Sequence, residues 1–495
     1  MRKLLALAIL LAIVVLPAAA QRRAINPDST VTTKHQVTIK GQRVPYTATT
    51  GTQPVWGEDG KTIAGLFYTY YERSDVKNRD ARPLVISFNG GPGSASVWMH
   101  IAYTGPRLLN IDEEGYPVQP YGFRENPESI LDIADIVFVN PVNTGYSRMA
   151  EGVDKDKMKE KFFGVQADVK YLAEWINTFV TRKSRWASPK YLIGESYGTT
   201  RVSGLALELQ NTQWMYLNGV ILVSPTELGI ARSGPVDAAL RLPYFAATAW
   251  YHNKLPQDLQ QKDLTDMLPE VEEFTVNELI PAIAKGGFLE EAKKKEIAGK
   301  MARYAGISEQ SILQHNLDVP TNFFWKELLR QEGYTVGRLD SRYKGIDRQV
   351  AGVRPDFNAE LTSWLHSFTP AINMYLRDEL KYKTDVKYNM FGPVRPWDNS
   401  NDNTGENLRQ AMAQNPYLHV MFQAGYYDGA TDYFNAKYSM WQLDPSGRLR
   451  DRLSYKGYRS GHMMYLRQED LVSANEDIRA FIRSSLPKKG QPAMY

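Results

Sequence analysis

Polar residues dominate Gln21–Lys34, and that stretch is expected to be a loose arm. From His35 to Thr50 apolar and polar positions alternate, with Val37, Ile39, Val44, Tyr46 and Ala48 in phase. This is the two-residue period of half-buried strands, broken into a pair at Gly41-Gln42. Gly51–Lys61 is turn-rich, and strand character resumes over Thr62–Tyr71. Arg82–Phe88, Ile133–Val139 and Leu217–Val223 are short and apolar without alternation, as strands buried on both faces are. Gly164–Thr181 carries Val165, Val169, Leu172, Trp175, Ile176 and Phe179 at helical spacing. Tyr191–Ile193 is another apolar run, followed by a helix-compatible segment over Thr199–Gln210. Strands alternating with helices, apolar on both sides, predict a mostly parallel central sheet covered by helices on both faces, the α/β class.

The pattern changes after Ser224. Residues 227–377 are mostly helical, rich in Lys and Glu (Glu290–Glu296 above all), and lack short buried strands. They are expected to form an inserted helical cap that divides the core into residues 21–226 and 378–495. The charge run itself reads as a solvated helix face. Sheet character returns at Leu418–Ala424, and Ile478–Ser485 lies in an amphipathic helix.

The N-terminus reads differently from both. Met-Arg-Lys, the apolar run Leu4–Leu16, Pro17 and Ala18-Ala19-Ala20 have the form of a signal peptide over residues 1–20, cleaved before Gln21. The run is too short to span a bilayer comfortably, and no second stretch of spanning length follows, so no stable membrane anchor is expected. The reading is an exported protein, periplasmic or extracellular. There is no cysteine in the 495 residues, which excludes disulfides, thiolate nucleophiles and cysteine-ligated zinc. The formal net charge of +4, or +2 without Arg2 and Lys3, is too small to point to nucleic acid.

Chemistry concentrates where Tyr191–Ile193 runs into Gly194-Glu195-Ser196-Tyr197-Gly198. Strand, Gly-x-Ser-x-Gly and helix in that order form a nucleophile elbow, with the serine held proud of the sheet at a helix N-terminus. By itself the motif can arise by chance, so it needs partners. A serine hydroxyl needs a base in reach and a third group to orient that base. Of the seven histidines, His462 sits in Ser460-Gly461-His462-Met463 before the last helix, where the base of an α/β-hydrolase belongs. The acid should follow the penultimate core strand, Leu418–Ala424. Asp428 in Gly425-Tyr426-Tyr427-Asp428 is the choice and Asp432, a turn further on, the runner-up. Ser196, Asp428 and His462 then stand in the required chain order.

Asn89-Gly90-Gly91-Pro92-Gly93 follows Arg82–Phe88 where an oxyanion loop belongs. Glycine lets backbone N–H groups approach a developing negative oxygen. The donors expected are the N–H groups of Gly91 and Tyr197. A phosphate cradle is the rival reading, but the loop lacks the Lys-Ser/Thr of a P-loop and the third glycine of a dinucleotide fingerprint. No cofactor and no metal are therefore expected. Glu195 and Asn89 are placed to face each other across the cleft and bind a substrate carboxylate, provided Glu195 is protonated by burial. The other reading is that Glu195 only ties down the elbow, and the residues alone do not choose between them.

Together, Asn89–Gly93, Gly194–Gly198 and Gly461-His462-Met463 resemble the serine carboxypeptidases of the carboxypeptidase Y and cathepsin A type. Asn140–Ser147 and Gly425–Asp428 add to the likeness, which covers Thr62–Val223 and Leu418–Leu471 and hardly touches the cap. The resemblance implies an α/β-hydrolase fold, removal of C-terminal residues from peptides or proteins, and best activity at acid pH. It assigns the triad to Ser196, Asp428 and His462, the oxyanion hole to Gly91 and Tyr197, carboxylate binding to Asn89, Gly90 and Glu195, and contact with the leaving residue to Met463. It tips Glu195 towards function. The chain also departs from the family pattern. The family's tryptophan two residues before the asparagine is Ser87, its cysteine after the glycine loop is Ser94, its first aspartate of the pair is Tyr426, and its Gly-His-Met-Val-Pro is Gly-His-Met-Met-Tyr. An esterase or acyltransferase on the same scaffold, or a non-catalytic binding protein with a relic fold, are the alternatives.

Overall fold

The computed structural model describes residues 24–488 and 490–494, so the expected signal peptide at 1–20 lies outside the described residues. A ten-stranded sheet organises the chain. In chain order its strands are β1 (Ser29–Ile39), β2 (Gln42–Trp56), β3 (Thr62–Arg73), β4 (Leu84–Phe88), β5 (Asp135–Val139), β6 (Arg148–Met149), β7 (Lys190–Glu195), β8 (Gly219–Val223), β9 (His419–Gly425) and β10 (Leu453–Tyr458). Their spatial order is β1-β2-β3-β5-β4-β7-β8-β9-β10, with β6 on β3. The pairings β1–β2, β2–β3 and β3–β5 are antiparallel. From β5 to β10 every pairing is parallel. This is the mostly parallel α/β sheet the patterning predicts.

Successive residues of the central strands enter opposite cores, which is why their sequences are apolar throughout. In β7, Tyr191 and Ile193 face one cluster and Leu192 the other; in β8, Ile221 and Val223 oppose Val220 and Leu222. Helices α1 (Val165–Arg182) and α2 (Tyr197–Thr212) cover the second face. Helix α3 (Gln468–Ser485) covers the first.

Two expectations at the N-terminal edge need correcting. Ser29–Lys34 is not loose: β1 pairs continuously with β2 from Ser29↔Thr52 to Ile39↔Gln42. These residues are largely exposed, so backbone pairing rather than side-chain burial makes the strand, and hydrophobic periodicity is silent there. Nor does β2 end at Gly51. A Cβ there would meet Ser29 O at 2.0 Å, so the glycine serves close strand approach rather than a turn.

Between β8 and β9 the chain is mostly helical. Helices from Pro235 to Glu327 share a hydrophobic cluster with Tyr427, Tyr433 and Phe434 beyond β9. The helix Ala359–Met374 instead packs through Trp364, Phe368, Ala371 and Ile372 into the core beneath the sheet. A minimal antiparallel pair, Thr335–Val336 with Lys344–Gly345, interrupts the helices, although no strand is expected in that stretch. It carries a loop back towards the C-terminal ends of the central strands.

Candidate active site

At the end of β7 the chain turns at Ser196, which takes φ 57° and ψ −128° before α2 begins at Tyr197. A non-glycine residue at positive φ is strained and is held only by what surrounds it. The surroundings are tight. A Cβ on Gly194 would meet Gly198 O at 2.1 Å, and one on Gly198 would meet Phe88 O at 2.7 Å. The Ser196 N–H donates to Val223 O at 2.9 Å and its carbonyl accepts from Thr199 N at 2.8 Å.

The glycine loop after β4 lies against this elbow. A Cβ on Gly90 would meet Tyr197 N at 2.4 Å, so only glycine lets the two backbones approach. Gly91 has φ 105°. Tyr197, first in α2, has an N–H beyond the reach of intrahelical acceptors. Arg201, one turn into the helix, donates to Asn89 O at 2.7 Å and to Asp168 at 2.7 Å, with both charges buried. Arg201 and Asp168 thus tie the loop to the helix behind the elbow. Sequence reading missed both, though a charged residue on the buried side of a helix was the signal available.

On the other flank, His462 Nδ1 lies 2.7 Å from Asp428 Oδ2. Asp428 is fully buried and accepts Ala430 N at 2.8 Å, Thr431 N at 3.1 Å and Thr431 Oγ1 at 2.7 Å. Asp432, the runner-up, faces elsewhere and caps the helix Tyr433–Leu443 by accepting Asn435 N at 2.9 Å. His462 and Ser196 are anchored on consecutive residues of one strand end. Ser224 Oγ donates to His462 O at 2.6 Å, and the Ser196 N–H donates to Val223 O at 2.9 Å. Burial works against the imidazolium, but the charge and hydrogen bond of Asp428, with Glu195 adding to them, raise the His462 pKa above its ordinary 6.5.

Glu195, last in β7, is 3% exposed. Burial pushes its carboxyl up to about 7, against the pull of His462, Tyr465 and Asn89. The Tyr465 hydroxyl donates to Glu195 Oε2. Asn89 is fully buried, its Oδ1 accepts Met99 N at 3.2 Å, and its Nδ2 has no acceptor among the described residues. A carboxyl that keeps its proton at mildly acid pH and an amide nitrogen with no acceptor in hydrogen-bond geometry among the described residues therefore stand beside the serine. Tyr465 escaped sequence reading, although its departure from Gly-His-Met-Val-Pro marked the position. Met463 is 3% exposed within the core beneath the sheet. Among the described residues no group of three or more His, Asp or Glu is arranged to hold a metal ion.

A family model described as serine carboxypeptidase (Peptidase_S10) matches residues 42–319. The match runs into the helical insertion and stops short of Asp428 and His462. Serine carboxypeptidase-like 36 of Arabidopsis thaliana is 29% identical over 167 residues, covering 33% of this chain and 32% of the relative. Retinoid-inducible serine carboxypeptidase of Rattus norvegicus is 30% identical over 198 residues, covering 38% of each. The matched stretches thus span only about a third of these curated relatives' length. Among solved structures, the prohormone-processing carboxypeptidase Kex1 of Saccharomyces cerevisiae superposes with a TM-score of 0.51 at 14% identity, over 89% of this chain and 92% of that one, a likeness of fold.

Proposed function

Because this chain belongs to the serine carboxypeptidase family, we propose that it removes C-terminal residues from peptides or proteins through an acyl-enzyme on Ser196. His462, oriented by Asp428, takes the Ser196 proton as Oγ attacks the last peptide carbonyl. The N–H groups of Gly91 and Tyr197 stabilise the oxyanion. As the C–N bond breaks, His462 returns that proton to the departing amine; water, activated by the same histidine, then hydrolyses the ester and restores Ser196. Residues 227–377 are read as a cap on a hydrolase core formed by 21–226 and 378–495. The core carries every group in this sequence of steps.

The observation that carries the reading is Glu195 beside the nucleophile. A buried carboxyl pushed up to about 7 keeps its proton at mildly acid pH. It can then donate to the substrate's terminal carboxylate, as can Asn89 Nδ2, while Gly90 gives that carboxylate room at the elbow. An esterase has no need of such a pair. Met463 is assigned to the leaving residue's side of the site. Export follows from the leader-like Met1–Ala20, and among the described residues no helix is long and apolar enough to cross a membrane.

The test compares an N-blocked dipeptide bearing a free C-terminal carboxylate with its C-terminal amide and with an ester, alongside fluorophosphonate labelling. The proposal expects label on Ser196 and strong preference for the free acid. Equal turnover of acid and amide at acid pH would replace the carboxypeptidase reading with the esterase or acyltransferase one. Absence of label would leave a binding protein.

A further inference from the structure

Glu195 is held by Tyr465, the residue that stands where the family motif Gly-His-Met-Val-Pro has its proline. Tyr465 lies in the short turn Met464–Leu466 after the His462 loop and is completely buried. Its hydroxyl donates to Glu195 Oε2. Its ring stacks on Tyr103, with centroids 4.5 Å apart and planes 10° from parallel. Tyr103 is fixed in turn, donating to Gln423 Oε1 at 2.8 Å, while Gln423 Nε2 donates to Tyr458 at 2.8 Å. Ser87, two residues before Asn89, does not share this role, since its buried Oγ has no hydrogen-bond partner among the described residues.

We propose that Tyr465 is the positioning residue of the carboxylate clamp: it occupies Oε2 of Glu195 and so directs the carboxyl proton to Oε1, towards the substrate's C-terminus. This rests on the reading of Glu195 as the group that binds that terminus. The chemistry of a carboxyl supports the assignment. A neutral carboxyl has one oxygen that only accepts and one that carries the proton. A donor fixed on Oε2 makes Oε2 the accepting oxygen, leaving Oε1–H and Asn89 Nδ2 as a pair of donors for a carboxylate. Burial raises the Tyr465 phenol well above its ordinary value, so it remains a donor wherever the enzyme works. The ionisable groups that bear on Glu195 are His462, Asp428, Tyr465 and Tyr103. Of these, only Tyr465 contributes a hydrogen-bond donor to Glu195 without belonging to the proposed triad.

The test is Tyr465→Phe, which keeps the ring and its stacking, followed as kcat and KM against pH with the free-acid dipeptide and its amide. Losing a hydrogen bond to a chargeable group should raise KM for the free acid roughly ten- to a hundredfold, with a much smaller change in kcat. The bond favours the ionised form of Glu195, so its loss should also move the alkaline fall of kcat/KM to higher pH. Turnover of the amide should change less than threefold. In a Glu195→Ala background the same substitution should alter neither KM nor the pH profile, because the group it acts through is gone. Equal losses for acid and amide, or an unmoved KM and pH limb, would overturn the role of Tyr465 while leaving the clamp standing. A wild-type enzyme that does not distinguish acid from amide would overturn the clamp, and the role of Tyr465 with it.

Discussion

The backbone N–H of His462 donates to the carbonyl of Leu339 at 2.6 Å, so a residue of the helical insertion holds the proposed base. The loop that Thr335–Val336 and Lys344–Gly345 carry does the same for the acid. Gly429 N donates to Arg338 O at 2.9 Å, and Ser341 N donates to Tyr427 O at 2.9 Å. The loop therefore splints Asp428 and His462 from outside the sheet. Its own shape depends on the buried pair Asp340–Arg342, whose guanidinium also reaches Ser460 Oγ at 3.0 Å.

Asp340→Ala should therefore damage stability and chemistry together. It strands Arg342 in a buried site, at a cost of about 3–5 kcal/mol. Tm should fall, and kcat should fall even at temperatures where the variant remains folded. A lower Tm with unchanged kcat would separate the loop from the alignment of His462.

Glu360 makes the same loop sensitive to pH. It is fully buried, its Oε1 accepts Leu339 N at 2.8 Å, and burial pushes its carboxyl up to about 7. A carboxyl whose folded pKa exceeds its unfolded value favours folding through its protonated form. Its contribution is complete below about 4.5 and is lost as pH rises to about 7. Glu360→Gln, neutral throughout, should raise Tm at pH 8 relative to wild type, by up to ~3 kcal/mol of stability, and should change little at pH 4. Denaturation series at the two pH values check this.

The two aspartates of the acid loop should part company on mutation. Asp428→Asn removes the charge facing His462 Nδ1 and should lower kcat by about 10⁴, with the fold retained. Asp432→Ala removes a helix cap, at a cost of about 1 kcal/mol, and should leave kcat near wild type. Reversal of these outcomes would transfer the acid's role to Asp432.

The pH profile should be a narrow bell for free-acid peptides. kcat/KM rises as His462, held above 6.5, loses its proton, and it falls as Glu195 loses its own near 7. That centres activity closer to neutrality than the acid optimum the resemblance implies. Glu195→Gln should remove the falling limb. It should also move the rising limb to lower pH, because Glu195 contributes to raising His462. Esters without a free carboxylate should lack the falling limb even in wild type.

Much of this protein was legible as a string of residues, for local reasons. Gly90, Gly194 and Gly198 stand where any Cβ would collide with backbone, so the elbow and the loop beside it are each written in a short glycine motif. The apolar runs of β4, β5, β7 and β8 are buried on both faces and carry their pattern openly. The edges were not legible. Ser29–Lys34 and Leu453–Tyr458 are strands because neighbouring backbones pair with them, and backbone hydrogen bonds leave little trace in side-chain pattern.

The site divides in the same way. The chain order of Ser196, Asp428 and His462, and the presence of Glu195 beside the serine, needed no coordinates. Position along the chain also favoured Asp428 over Asp432, but the two lie within one turn, and only packing shows which faces His462 and which caps a helix. The hydroxyl of Tyr465 on Glu195 and the carbonyl of Leu339 on His462 join residues 270 and 123 positions apart along the chain. Such contacts have no period or motif. They exist only after hydrophobic burial has closed the sheet and laid the insertion across its end, because burial is what brings these polar groups together and requires each to find a partner.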